Sequence, residues 1–411
     1  MRYKSIILSI ILIIAVLLSS CTSSQEIEDV GIVLATGIDM EGDKYLLTHE
    51  VIVPKSSVSD KIGQGPNVQY VQSKGDTIID ALRNASLVFD KKLFLAHNRV
   101  IILGEDLAKR GIGDIINFYV SDVEPRESTL LLVAKGSPAH EVMGIKGGLS
   151  DTPGKYLFDL LENHRFNLKA RDLTLNEFLR YFLAGENVVV STVQKIEQKE
   201  IDKEEEKPNR TILDVTGGAV FRKDRLIGYY TGDEMKGFNF LIDEFENGLI
   251  IFKMPDEVVK DNKFVARSGQ YLVVEVKASK TKSKVELVED KLLLKIDVNI
   301  EGVLIEDTKG LNISSQAMLE AVRSACAKKV EEYIVRTLEK AQKEFKTDTF
   351  SIGNLVHISY PDLWKEISDD WESIFPDLDY KINVKVDVIR AGLINTPVNI
   401  EIDEERLKEN K

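Results

Sequence analysis

One apolar stripe constrains the fold of this chain more than any other feature. Met318, Val322, Cys326, Val330, Ile334, Leu338, Ala341 and Phe345 recur every three or four residues. That spacing lays them along one face of a long helix over residues 315–346. A helix with such a face must bury it against another layer. The flanking sequence supplies one. Leu292, Leu294, Ile296, Val298 and Ile300 alternate with Lys295, Asp297 and Asn299, and Ile382, Val384, Val386 and Val388 alternate with Asn383, Lys385 and Asp387. A period of two marks half-buried strands. Residues 270–279 precede the first of these strands and can pair with it antiparallel. The expected unit is a long helix covering one face of an antiparallel sheet.

The N-terminal part mixes both kinds of element. Residues 44–53, 99–103 and 128–134 read as strands. Residues 76–89, 105–119, 155–164 and 173–183 read as helices, the second interrupted by Gly111 and Gly113. Thr174, with Glu177 three residues later, forms a capping-box signature. Residues 194–210 hold only two apolar side chains, Ile196 and Ile201, among a dense run of charges. This run reads as a solvated linker or projecting loop. The chain therefore divides into a leader, 1–20; an N-terminal domain, 21–193, open to further subdivision; the charged run, 194–210; a C-terminal domain, 211–391; and a tail, 392–411. The expected class is multidomain α+β, with mixed or antiparallel sheets packed against helices.

The leader says where such a chain works. Arg2 and Lys4 open it, and residues 6–18 are apolar except for Ser9. A helix of that length reaches about 20 Å, short of a hydrocarbon core of about 30 Å. It is a secretory h-region rather than a span. Leu18-Ser19-Ser20-Cys21 resembles the bacterial lipobox. That resemblance implies cleavage before Cys21, an S-linked diacylglycerol on its thiol and an acyl group on its new N-terminus. The net charge of the 411-residue chain is −13, and loss of the leader makes it more acidic still. Such a surface argues against nucleic acid as a partner and against bulk attraction to anionic lipid. Membrane attachment then falls to the acyl chains, and two of them suffice for a stable anchor. With Cys21 acylated, the only other cysteine, Cys326, has no disulfide partner and reads as a small buried hydrophobe.

Motifs for catalysis or cofactor binding do not stand out. His49, His97, His140, His164 and His357 are scattered singly, with no zinc spacing. No nucleophile elbow occurs, and Cys326 has no identifiable base. Ser279-Lys280-Thr281-Lys282 matches S-x-x-K but is expected in a Lys-rich hairpin tip. Gly111-Ile112-Gly113 lacks the third glycine of a dinucleotide loop, and Asp369-Asp370 lacks a calcium-loop pattern. No metal or cofactor is expected.

Three stretches resemble the Ger(x)C family of spore germination lipoproteins. Residues 27–39, ending Gly37-Ile38-Asp39, are similar to the family's opening segment, although Thr22-Ser23-Ser24-Gln25 stands where the family carries a Trp-Asp-Arg-like run. Residues 117–127, followed by a strand and Ala134-Lys135-Gly136, are similar to its second motif. Phe345, Asp348 and Gly353 resemble Phe-x-x-Asp-(x)4-Gly. Pro361-Asp362-Leu363-Trp364, Trp371, Phe375-Pro376 and Gly392 follow in the family's order, and Phe221 and Leu226-Ile227-Gly228-Tyr229 resemble the opening of its C-terminal domain. Read physically, Trp364, Trp371 and Phe375 share one helix face as core anchors. Asp348 caps a turn or helix, and Gly353 permits a turn.

The resemblance implies a non-catalytic, lipid-anchored subunit of a nutrient germinant receptor. Its partners would be the receptor's A and B membrane subunits, and its place the spore inner membrane. Two other readings carry structural expectations. A lipid-anchored solute-binding protein needs a deep cleft between two similar lobes. A cell-wall hydrolase needs a clustered His, Asp or Glu site.

Overall fold

The computed structural model describes residue 3 and residues 30–52, 68–121, 128–147, 149–150, 152–199, 210–245, 247–253, 271–307 and 316–390. The leader, Cys21, residues 122–127, most of the charged run and the tail lie outside the described residues.

In chain order the elements are β1 (Val30–Glu41), β2 (Lys44–Ile52), β3 (Val68–Gly75), α1 (Ile78–Asn84), β4 (Lys92–Phe94), β5 (Val100–Gly104), α2 (Glu105–Arg110), α3 (Gly113–Ser121) and β6 (Leu130–Ala134). Then come α4 (Ala139–Val142), α5 (Pro153–Glu162), α6 (Leu175–Leu183), β7 (Val188–Gln198), β8 (Arg210–Arg222), β9 (Arg225–Tyr230), α7 (Gly232–Leu241) and β10 (Gly248–Lys253). The C-terminal part continues with β11 (Tyr271–Val288), β12 (Lys291–Asp307), α8 (Gln316–Glu339), α9 (Ile352–Ser359), α10 (Pro361–Ile367), α11 (Trp371–Ile374) and β13 (Asp379–Arg390). The architecture is multidomain α+β, with two sheets and a long C-terminal helix.

Among the described residues the first sheet has the order β3-β2-β1-β5-β6-β7-β8-β9, with β4 also beside β1. Its centre, β1-β5-β6-β7, is parallel, and both flanks are antiparallel. Every residue of β5 and β6 is buried, as expected of parallel strands covered on both faces. Ile101, Leu103, Leu131 and Val133 pack with α2, α3 and α6 on one face. Val100, Ile102, Leu130 and Leu132 pack with α4 and α5 on the other. The capping box at Thr174 is present: Glu177 N donates to Thr174 Oγ1 at 3.2 Å, and Thr174 N donates to Glu177 Oε2 at 2.9 Å.

The described ends of the charged run belong to strands. Residues 194–198 belong to β7, and Arg210 opens β8. Ile196 pairs with Ile212 and Gln198 with Arg210. The described ends of the run thus extend β7 and β8, and β8 and β9 complete the sheet begun by the N-terminal part. Charged side chains alternating along exposed strand ends look in sequence like a solvated spacer.

The second sheet has the order β10-β11-β12-β13. Its first two pairings are antiparallel, as expected for β11 with β12, but β12 and β13 run parallel. The helix between them supplies the crossover that a parallel pair needs. The expectation of a wholly antiparallel C-terminal sheet is corrected accordingly. Leu294, Ile296, Val298 and Ile300 pack against Val322, Cys326, Val330, Ile334 and Leu338 of α8 in one core, so the stripe does what its spacing predicts. After Glu339 the last turn widens to i→i+5 hydrogen bonding and stops at Lys346, in the left-handed conformation. Residues 279–282 are not a hairpin tip. They pair with residues 297–300 in mid-strand, and the tip is Glu289-Asp290, both at positive φ.

Helices α7 and α8 meet at Gly237, where a Cβ would overlap the Tyr333 carbonyl and the Thr337 hydroxyl. Thr337 Oγ1 donates to Glu234 O at 2.7 Å across the same crossing. Gly237→Ala is expected to lower stability by about 1–3 kcal/mol through overpacking. A shifted urea midpoint with an unchanged m-value is the measurement that checks it.

Candidate functional site

The two sheets are joined through residues 345–353, which leave the end of α8 and turn into α9. Burial there forces every polar group to find a partner. Asp348 is buried. Its Oδ1 accepts from Phe350 N at 3.0 Å, and its Oδ2 accepts from Gly353 N at 2.7 Å and Trp371 Nε1 at 3.1 Å. Burial raises its pKa above the ordinary carboxylate value, while the donors at Gly353, Phe350 and Trp371 pull the other way.

The first sheet grips the same segment. Asn187, just before β7, donates to Asp348 O at 3.1 Å. Arg222 of β8 donates through Nε to Thr347 Oγ1 at 2.8 Å and through Nη2 to Phe345 O. Ser351 Oγ donates to Glu186 Oε2. Tyr230 of β9 shares a 3.0 Å hydrogen bond with Thr349 and sets its ring edge-on to Phe345 at 5.2 Å. A groove of about 370 Å3, lined in part by Arg171, Asp243, Thr281 and Phe350, opens beside the junction. Arg171 closes on Glu244 at 3.1 Å.

Other buried acids are held in the same way. Asp39 accepts from Ala139 N at 2.7 Å and His140 N at 3.0 Å, at the start of α4. Glu50 accepts from Gly154 N at 2.9 and 3.0 Å, in the first turn of α5, and burial raises its pKa. Glu234 caps α7 with Thr231 and pairs with Lys340 at 2.9 Å. Each of these carboxylates meets backbone N–H groups at a helix N-terminus, where the orphan donors and the dipole favour an acid.

The histidines stay apart. His49 is buried with Nδ1 3.1 Å from Thr36 Oγ1, and its Nε2 has no partner among the described residues. His140 lies 3.0 Å from Asp39, and His357 stacks on Trp364. Cys326 is buried in the second core, with its thiol pushed up to about 12 by burial. Among the described residues, no group of three or more His, Cys, Asp or Glu side chains could hold a metal ion. No described helix is long and apolar enough to cross a membrane. Cys21 lies outside the described residues.

Two family models match nearly the whole chain. One, the spore germination protein N-terminal domain, covers residues 23–195. The other, the spore germination B3/GerAC-like C-terminal family, covers residues 216–392. The chain belongs to the Ger(x)C family of spore germination proteins. Spore germination protein B3 of Bacillus subtilis (strain 168) is 25% identical over 393 residues, covering 94% of this chain and 98% of its own length. Spore germination protein A3 of the same strain is 26% identical over 383 residues, covering 91% and 95%. The crystal structure of the GerBC protein shares the fold, with a TM-score of 0.55 at 22% identity over 86% of this chain and 96% of that one.

The Ger(x)C motif residues take structural places. Phe345, Asp348, Gly353 and Trp371 all lie at the junction, so Asp348 caps as expected. Gly353 does not serve a turn. It sits inside α9, where a Cβ would press into Trp364 at 2.8 Å and Trp371 Nε1 at 2.9 Å. Trp364, Trp371 and Phe375 lie on broken helices rather than one. Trp364 and Trp371 meet edge to face at 5.5 Å, and Trp371 lies 6.3 Å from Phe375. Sequence reading missed Asn187 and Arg222, which carry no local signal of a partner more than a hundred residues away.

Asp348→Ala leaves three donors unpaired in a dry junction and is expected to destabilise by about 3–5 kcal/mol in urea unfolding, with Asp348→Asn milder. His49 gives a pH signature. Burial lowers its pKa from 6.5 to about 4, so below pH 6.5 the unfolded chain takes a proton that the folded chain refuses. Stability is therefore lost as pH falls from 6.5 to 4, by about 3 kcal/mol for this group. Urea midpoints measured across that range should fall less steeply in a His49→Gln chain.

Proposed function

We propose that this protein is the lipid-anchored, non-catalytic C subunit of a nutrient germinant receptor, held at the spore inner membrane by Cys21 beside the receptor's A and B subunits. The observation that carries this reading is the match of both germination families along the chain, in order, from residue 23 to residue 392. The lipobox-like Leu18-Ser19-Ser20-Cys21 supports the anchor. The capping roles of Asp39, Glu50, Glu234 and Asp348 support a non-catalytic body, because groups committed to helix ends are not free to move protons for a substrate. A solute-binding protein of two similar lobes fits less well. One sheet here has a parallel centre and antiparallel flanks, and the other is a four-stranded sheet with a single parallel pair.

Deleting the gene is expected to abolish the spores' response to one class of nutrient while a non-nutrient trigger still works. Normal germination with every nutrient, in a strain without a redundant receptor, would overturn the reading. Cys21→Ala is expected to give a folded chain without its lipid and with weakened receptor function. Mass measurement of the N-terminal peptide checks the first part and germination assays check the second.

A further inference from the structure

The end of the first sheet at which the chain enters carries an apolar patch that the fold itself does not use. β4 runs parallel to the start of β1, with Lys92 opposite Val30 and Leu93 opposite Gly31. The loop leading into β4 is fastened there: Phe89 and Leu93 pack with Val33, Val51 and Ala85 in a small core. Between these anchors the side chains turn outward. Leu87 is 80% exposed, Val88 68% and Ile79, on the outer side of α1, 47%. A groove of about 630 Å3 beside them is lined by Ile79, Leu82, Leu93 and Phe118, with Arg83, Lys91 and Lys92 at its rim.

Adjacent large apolar side chains exposed this far mark a contact surface rather than ordinary scatter. The charge is also local. Residues 79–93, which hold the patch, carry Arg83, Lys91 and Lys92 against Asp80 and Asp90, in a chain of net charge −13. Exposed apolar side chains with an excess of cations along the same segment suit the boundary between anionic headgroups and acyl chains. Position decides the occupant. Eight residues, nine chain steps, separate Cys21 from Val30. Fully extended, they span at most about 30 Å. A lipid on Cys21 therefore keeps this end of the molecule, more than any other, within reach of the bilayer.

We propose that Ile79, Leu87 and Val88, with Arg83, Lys91 and Lys92 around them, seat on the surface of an anionic phospholipid bilayer. The contact fixes which way the anchored protein faces. It rests on the reading that Cys21 carries the anchor. Bulk repulsion from the acidic body does not oppose it, because beyond about 10 Å salt screens such charges while the patch acts at contact.

The test uses the full chain, expressed with its leader in a lipidating host and reconstituted into vesicles of phosphatidylcholine and phosphatidylglycerol. Cys326 is buried and its thiol is pushed up to about 12, so in chains whose Cys21 thiol is acylated a cysteine introduced by Val88→Cys is labelled selectively with an environment-sensitive fluorophore. Ile358→Cys, on an exposed position of α9, is the reference. The label at position 88 is expected to shift to the blue and to be quenched by a lipid-borne nitroxide, and the label at 358 is not. Adding Arg83→Glu and Lys92→Glu is expected to remove at least half of that quenching in mixed vesicles. Mass measurement of the N-terminal peptide separates the two layers of the argument. Acylated Cys21 with a label at 88 as wet as that at 358 overturns the seating alone. Unmodified Cys21 overturns the anchor and the seating together. A label at 88 that stays wet on lipid, and is shielded only when other receptor subunits are added, overturns the bilayer as occupant in favour of protein.

Discussion

The structure depends on the way residues 345–353 are held between two sheets. This segment leaves the core of the second sheet at Phe345 and must turn without water to satisfy its backbone. Asp348 supplies acceptors for Phe350, Gly353 and Trp371. Arg222 and Asn187 supply donors for the carbonyls of Phe345 and Asp348. The contributions are interdependent. Without Asp348 the start of α9 has orphan N–H groups, and without Arg222 and Asn187 the carbonyls beneath it are stranded. A buried network of this kind is worth having only when every member is satisfied.

The same economy runs through the other buried acids. Asp39, Glu50 and Glu234 each sit at a helix N-terminus and receive backbone N–H groups. For Glu50 and Asp348, burial by itself pushes towards the neutral form, and the donors push back. The carboxylates thereby fix short helices that would otherwise have little reason to form: α4 has only four residues and α9 eight. Perturbed carboxylates are often taken as signs of catalysis. Here the perturbation of Glu50 and Asp348 has a structural cause, namely a cap in a dry place.

Periodicity and local capping were readable because they depend on neighbours in sequence. The stripe from Val322 to Phe345, the alternation in β12 and the Thr174–Glu177 box all have their cause within a few residues, and all take the expected form. Partner choice was not readable, because it depends on topology. Nothing local tells β13 to run parallel to β12 rather than against it, and only the crossover through α8 decides. At the charged run, 194–210, composition alone does not separate a linker or projecting loop from an exposed strand end, since the two share it. Gly353 shows the limit at a single residue. Its need is for space against Trp364 and Trp371, and the tryptophans lie eleven and eighteen residues further along the chain.

Rigidity links these points to function. β7 and β8 form one hairpin although the two family models end and begin within it, at residues 195 and 216. β9 then leads straight into α7, which locks onto α8 at Gly237. The first sheet, the junction and the second sheet therefore meet through side-chain hydrogen bonds from Asn187, Arg222 and Tyr230 and through close side-chain contact. A body built this way transmits orientation. The outer face of the second sheet carries Lys282, Asp297, Asn383 and Lys385 on adjacent strands. For a subunit proposed to work by contact with membrane partners, the buried junction at Asp348 is where the two sheets are held against each other.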